Sequence, residues 1–466
     1  MQGAAPDKDQ RGSLGRSLRV LGTLLLTLSS VTPASSVFVI VPGVIAQAGT
    51  GAFLAMVVGA FLCVPTAYVY AELSSAFPIA GGEYCMVART IGRDAGIAIL
   101  WLNAFSSLLT PAAFALGAGA FIGVVMPRLN GTLVAIAIIS FTTILGILHI
   151  RTNAWVTGVF LLLELLALAA LTGLGLWNMK RPFIDLIAHP VWLNAGALHP
   201  TPVAIIGLAT SVSIFAYNGY GSAVYFAEEM HEARSAVAKT IIWALIITVV
   251  TELLPVTATL LGASDLKAFF GSQNPFSDFI LAAGGPFLNA TISVCIALAI
   301  INAVLATVLQ NARLFFRTGH DSTWHPSVNR AFKNIHPRFQ SPWLATLIAG
   351  GASILLCFLG LNLILVLTGT GIAVVYMALC VAAIAGRRFG HSHRATYRMP
   401  HYPLWPLIGL AALAYVLYLS LLDPALGQPS LIANAVVMIL AIAYYRLILR
   451  WKGDWVLSEP HDTAVI

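Results

Sequence analysis

The chain has 466 residues, 59% of them hydrophobic and 9% charged, with 25 Lys and Arg against 18 Asp and Glu. A soluble domain carries about 25% charged and about 45–50% apolar residues, so too little polar surface is available here to clothe a body in water. Soluble enzymes, disordered tail proteins, coiled coils and secreted disulfide scaffolds are excluded, and the composition predicts an integral membrane protein.

A helix needs about 20 apolar residues to cross a hydrocarbon core, whereas a barrel strand needs about 10 alternating ones. Long uncharged runs predict an all-α chain with spans near 20–46, 52–76, 95–125, 131–149, 153–177 and 202–227. Six more are expected near 237–262, 286–315, 342–359, 362–386, 403–422 and 430–450, which makes twelve. They form one domain over 20–452, with tails at 1–19 and 453–466, because no connection is long enough for a soluble domain. Arg11, Arg16 and Arg19 ahead of Val20 to Leu28 imitate a secretory signal, with Pro33-Ala34-Ser35 as a cleavage site. The apolar stretch resumes at Val37 to Ala46, so the segment is long enough to span and retention is expected.

Lys and Arg in short loops set orientation. With the N-terminus inside, 21 of the 25 fall on the cytoplasmic side, and only Arg128, Lys180, Arg181 and Lys267 fall outside. Both termini are therefore expected in the cytoplasm of a multi-pass cell-membrane protein. The net charge of +7 is a topology signal and makes no case for nucleic acid. Cys63, Cys85, Cys295, Cys357 and Cys380 are scattered without a CxxC, which suggests neither metal site nor disulfide framework.

Inside hydrocarbon every backbone group must be paired, so unwound backbone belongs where it lines a cavity. The first span carries Ser29-Ser30-Val31-Thr32-Pro33-Ala34-Ser35-Ser36 at its middle, and the sixth carries Asn218-Gly219-Tyr220-Gly221-Ser222. Either alone could be Ser and Thr bonding back to their own helix. Five helices apart, the two together point to a transporter site between inverted repeats. Repeat one would cover about 20–177 and repeat two about 202–386, with the last two spans, about 403–450, appended. Half-helix N-termini favour an anionic group and facing carbonyls an ammonium, so a zwitterion fits both.

Two carboxylates lie within spans. Glu164 sits about 11 residues into the fifth span, about 17 Å along it and near the midplane. Glu252 lies in the outer half of the seventh. Ionisable groups at such depth are functional candidates, against the alternative of neutral acids packed between helices. Glu72, Glu228 and Glu229 fall at cytoplasmic helix ends, as gate or loop contacts. Phe38, Phe215, Tyr217 and Tyr220 lie near the interruptions, and Phe215 is placed to cover a ligand. Span three adds Asn103, Ser106, Ser107 and Thr110, and span eight adds Asn302 and Thr307, residues that also serve to bond neighbouring helices. The histidines form no metal constellation, and no Walker A motif, dinucleotide loop or nucleophile elbow is present, so neither cofactor nor catalysis is expected.

The stretch YAELSSAFPIAGGEY, Tyr70 to Tyr84, resembles a signature of the amino acid–polyamine–organocation permease superfamily. FAYNGYGSAVYFAEEMHEAR, Phe215 to Arg234, resembles its helix-six motif, and NARLFFRTG, Asn311 to Gly319, the end of helix eight. The resemblance covers nearly the whole chain. It implies the LeuT-like fold of 5+5 inverted repeats, alternating access, and amino acids or related amines as substrates. The family's carboxylate loop falls on Ala34-Ser35-Ser36, after Thr32, with both family glycines replaced. The gating aromatic falls on Phe215, followed by Ala216 and Tyr217. The unwound stretch falls on Asn218 to Gly221, where Gly221 replaces an acidic residue of some relatives. In helix five, proton-coupled relatives carry a Lys that stands in for sodium beside helices one and eight; here the pattern reads Glu164-Leu165-Leu166-Ala167-Leu168. The charge is reversed, so Lys-type coupling does not carry over directly. Glu164, with Asn302 and Thr307, is the expected coupling group, and the proton is the candidate ion. The expected function is secondary transport of an amino acid or amine. An exchanger or facilitator without ion coupling, and a transporter-fold sensor, remain the alternatives.

Overall fold

The computed structural model describes residues 20–78, 81–126, 128–148, 150–230, 233–339, 341–452 and 455–457. The expected N-terminal tail lies outside the described residues, as does most of the C-terminal one. Among the described residues, nine helical stretches are long and apolar enough to cross a membrane. The first of them, Val20–Ala76, covers both the first and the second expected span. Two shorter apolar helices, Gly131–Ile147 and Trp343–Leu359, fall on the fourth and ninth.

The first expected span is not one rod. A helix over Val20–Val31 stops at Thr32, whose φ of 51° and ψ of 68° are left-handed. A short turn at Pro33–Ser35, a π-helical stretch at Ser36–Ile40 and a helix at Val41–Ala48 follow. Pro33 lacks an N–H and restricts the residue before it, which helps explain why the helix stops here. The sixth span breaks in the same manner: Val203–Ala216 is helical, Gly219 has a φ of 118°, and Tyr220–Glu229 continues as a 3₁₀ helix. A non-glycine side chain at that φ would be strained.

The other site-bearing helices are continuous. They are Ala52–Ala76, Arg93–Val125, Ile150–Trp177, Ala233–Gly262 and Leu361–Arg388. Pro275–His320 kinks at Gly285, whose φ of 81° ends one helix as Pro286 starts the next. This is where the eighth span was expected to begin. A hairpin of Val191–Asn194 and Ala197–Pro200 pairs antiparallel, with Trp192 opposite His199. It rests on Gly49, where an added Cβ would stand 2.1 Å from the Val191 carbonyl oxygen. Near the C-terminus Trp455 is 3% exposed and packs edge-on against Tyr445 at 5.5 Å, while the Val456 N–H donates to the Asp321 carbonyl. That part of the chain is docked on the helical body.

Glu72, at the end of the second span, is buried and makes loop contacts. Its Oε1 accepts from Arg387 Nε at 2.6 Å, and its Oε2 from the Met399 N–H at 2.8 Å. Arg387 also lies 4.3 Å from the Tyr402 ring centroid. Removing one partner of a buried pair strands the other charge, at a cost of about 3–5 kcal/mol. Arg387→Met is therefore expected to lower the thermal unfolding temperature in detergent. Adding Glu72→Gln should restore part of the loss, because the stranded carboxylate is then gone. Equal stability of Arg387→Met and wild type would show that the pair contributes nothing.

Candidate functional site

The two interruptions lie against each other. The Ser36 hydroxyl donates to the Ala216 carbonyl at 2.9 Å, and a Cβ on Gly219 would stand 3.0 Å from Val31 Cα. Around them is a cavity lined by Ser36 from the first interruption and by Phe215, Asn218 and Gly219 from the second. Arg93–Val125 contributes Asn103, Ser106, Ser107 and Thr110, and Pro275–His320 contributes Thr307, Gln310 and Asn311. Ser30, Val31, Ile40, Phe114, Thr368 and Ile372 complete the wall. Among the described residues, none that line it is Asp, Glu, Lys or Arg. A cavity of this kind has no fixed charge to neutralise a net-charged ligand, but it has many groups for a dipolar one.

Most of the predicted contacts meet here, though in different capacities. Ser36, Asn103, Ser107, Phe215, Asn218, Gly219 and Thr307 line the cavity directly. Thr307 donates its hydroxyl to the Ala303 carbonyl at 3.0 Å. Ala216 takes part through its carbonyl, and Gly221 lines a neighbouring cavity. Thr32, Ala34 and Ser35 are buried behind the wall, and so is Tyr217. The N–H groups of Ala34 and Ser35 stand at the start of a half-helix, where intrahelical acceptors are missing.

Glu164 and Asn302 come together beside Ala34. The carboxyl of Glu164 lies next to the Ala34 backbone and the Asn302 side chain. Neither approach reaches ordinary hydrogen-bond geometry: both oxygens of Glu164 and both polar atoms of Asn302 are buried without a partner. Glu252 approaches the same region from Ala233–Gly262, near Ser36 and Tyr217. Its two oxygens and the Tyr217 hydroxyl are likewise buried and unpartnered, as is the Ser35 hydroxyl. Unpartnered buried carboxyl groups are costly, and the two here, beside an unpartnered amide and two hydroxyls, make this a polar region.

Sequence reading missed Gln310, Asn311, Thr368 and Ile372. Gln310 follows Thr307 by three residues, which puts both on one helix face and was a usable signal. Asn311 was quoted only as part of a motif; its Nδ2 donates to the Ser107 carbonyl at 2.8 Å, which ties two wall helices together. Thr368 and Ile372 carried no local signal, since Leu361–Arg388 reads as an apolar run. The aromatics divide. Phe38 packs edge-on against Phe121 and Phe276, each at 5.6 Å. Tyr220 shares a 2.7 Å hydrogen bond with Thr66 and stands 6.1 Å from the Tyr376 ring. The Tyr376 hydroxyl donates to Asn218 Oδ1 at 2.8 Å.

A helical body with two abutting interruptions around a polar cavity has the architecture of a membrane transporter. The chain belongs to the amino acid permease family, whose model matches residues 18–447, and the family match makes it a transporter and not an enzyme. It has the LeuT-type fold of that family. A branched-chain amino acid permease of Bacillus subtilis is 24% identical to it, covering 94% of each chain. The methylthioribose transporter of the same organism is 24% identical over 87% of this chain and 88% of its own. The human Asc-type amino acid transporter 1 is 24% identical over 77% of this chain and 68% of its own.

Gly219 is where the backbones of the two interruptions come close together. In Gly219→Ala the new Cβ must displace the Val31 backbone while occupying an unfavourable φ, at a cost of about 1–3 kcal/mol. The variant is expected to unfold at lower temperature in detergent and to lose uptake. Unchanged stability and uptake would mean that the close approach of the two segments is dispensable.

Proposed function

We propose that the protein moves a zwitterionic, net-neutral amino acid across the cell membrane by alternating access, with both termini in the cytoplasm. The single observation behind this reading is the cavity between the two interruptions, which is rich in hydroxyls and amides and, among the described residues, free of charged side chains. The two interruptions give the region half-helix ends, whose dipoles favour a carboxylate at the N-terminal side and an ammonium at the carbonyl side. An amine with a net positive charge would find no counter-charge in that wall. The relatives named for amino acids support the same substrate class.

Glu164 is the proposed coupling group, with Asn302 beside it. A carboxylate without a paired cation is expensive at membrane depth, so the group holds a proton or a bound cation when it is enclosed. Its position next to the Ala34 backbone links that occupancy to the first interruption. Thr307, on the same helix as Asn302, lines the cavity itself.

The test is uptake by proteoliposomes of labelled amino acids and amines, under an imposed inward proton gradient and without sodium. Wild type is expected to accumulate neutral amino acids saturably. Glu164→Gln should still exchange substrate but lose gradient-driven accumulation by about tenfold or more, as expected for loss of the proton-carrying group. Accumulation by Glu164→Gln equal to wild type would remove the coupling role. Flux that only equilibrates in wild type would make the protein a facilitator or exchanger. No flux for any member of the panel would favour a sensor.

A further inference from the structure

Glu83 opens the short helix Glu83–Thr90 and is 5% exposed. Its Oε1 accepts from the Tyr70 hydroxyl at 2.7 Å. Its Oε2 accepts from the Tyr225 hydroxyl at 2.7 Å and from Asn103 Nδ2 at 2.8 Å. Three separate elements thus converge on one carboxyl group, and each supplies a neutral donor. Among the described residues no cation pairs with it, unlike Glu72, which has Arg387. Donors of this kind hold a carboxylate in place without cancelling its charge.

The same carboxyl lines a second cavity, with Tyr70, Ser222 and Tyr376. Asn103, Ser106, Asn218 and Gln310 line this cavity and the central one alike, so the two adjoin. Ser106 and Ser222 are 5% and 3% exposed, and their hydroxyls have no hydrogen-bond partner. Two orphan hydroxyls and one uncompensated carboxylate therefore face a single small space beside the central cavity. Tyr225 belongs to the 3₁₀ segment that follows the second interruption, so a rearrangement there changes the number of donors on the charge.

We infer that this second cavity is an ammonium-binding subsite on the cytoplasmic path of the cargo, with Glu83 as the counter-charge and Ser106 and Ser222 as its polar wall. The cargo's ammonium leaves the carbonyls of the interruptions and is held by Glu83 before release. The inference rests on the transport reading and on the proposed orientation, and adds a site to them. It also accounts for a wall without charge in the central cavity beside a charged one next door: a zwitterion held centrally is passed on by its cationic end.

The test compares right-side-out with inside-out membrane vesicles that contain the full chain, using labelled L-alanine, L-serine, L-leucine and L-phenylalanine. Glu83→Gln is expected to raise the half-saturation concentration at the cytoplasmic face about tenfold, the scale of one charge-assisted contact, and to leave the outer face within about twofold. Tyr225→Phe keeps the charge and removes one donor, so it should stay within about threefold of wild type at both faces. Equal effects of Glu83→Gln and Tyr225→Phe, or equal effects at both faces, would make Glu83 a structural tie and overturn the subsite. Should Glu83→Gln fail to fold, Ser222→Ala carries the test, with an expected rise of about fivefold at the cytoplasmic face alone; no change there overturns the subsite as well. Absence of wild-type flux for all four amino acids would instead defeat the transport reading, so the two failures are distinguishable.

Discussion

The hydrogen bond from the Ser36 hydroxyl to the Ala216 carbonyl, 180 residues apart in sequence, is the contact on which the site depends. Hydrocarbon forbids unpaired backbone, so a helix interrupted at mid-membrane needs a partner for the groups it releases. Here the first interruption supplies a donor to the second. The left-handed Thr32 and the positive φ of Gly219 bring the two segments into backbone contact, and the cavity forms along their shared edge. The surrounding helices provide walls of hydroxyls and amides, whose polarity would be wasted against lipid.

Among the described residues four glutamates are buried, and they differ in what compensates them. Glu72 has an arginine fork and a backbone N–H, and it fastens the end of one helix to another. Glu83 has three neutral donors and no cation among the described residues. Glu164 and Glu252 have no hydrogen-bond partner of ordinary geometry. The series runs from a fully paired group outside the cavity lining to unpaired groups beside the interruptions. Pairing favours rigidity, while an unpaired acid at depth has its protonation or ion occupancy left open to change. That contrast is the physical basis for assigning structural work to Glu72 and proposing coupling for Glu164.

The fold was largely legible because membrane solvation writes it into composition: apolar runs and clusters of helix-breaking residues are local signals. Pro33 and Gly219 announced the two interruptions, whereas Gln310, three residues from Thr307 on one face, was missed. Other parts of the site were not local. Glu83 stood within a quoted motif, yet its environment comes from Tyr70, Asn103 and Tyr225, which only packing brings together. The facing of Glu252 toward Ser36 and Tyr217 was likewise undetermined, because a single carboxylate in an apolar helix does not reveal its rotation. Thr32, Ala34 and Ser35 were expected as direct contacts; they lie behind the cavity wall, since the local turn directs them toward neighbouring helices rather than into the cavity.

The central claim is that cargo occupies the cavity between the two interruptions. The most direct measurement is protection of a single cysteine, Ser107→Cys, in a background whose five native cysteines are replaced. Its rate of reaction with a membrane-impermeant maleimide would be followed with and without a transported amino acid. Occupancy of the cavity predicts slower, saturable labelling whose half-effect concentration matches that for uptake. Labelling that is unaffected by saturating cargo, in protein that still transports it, would place the substrate elsewhere.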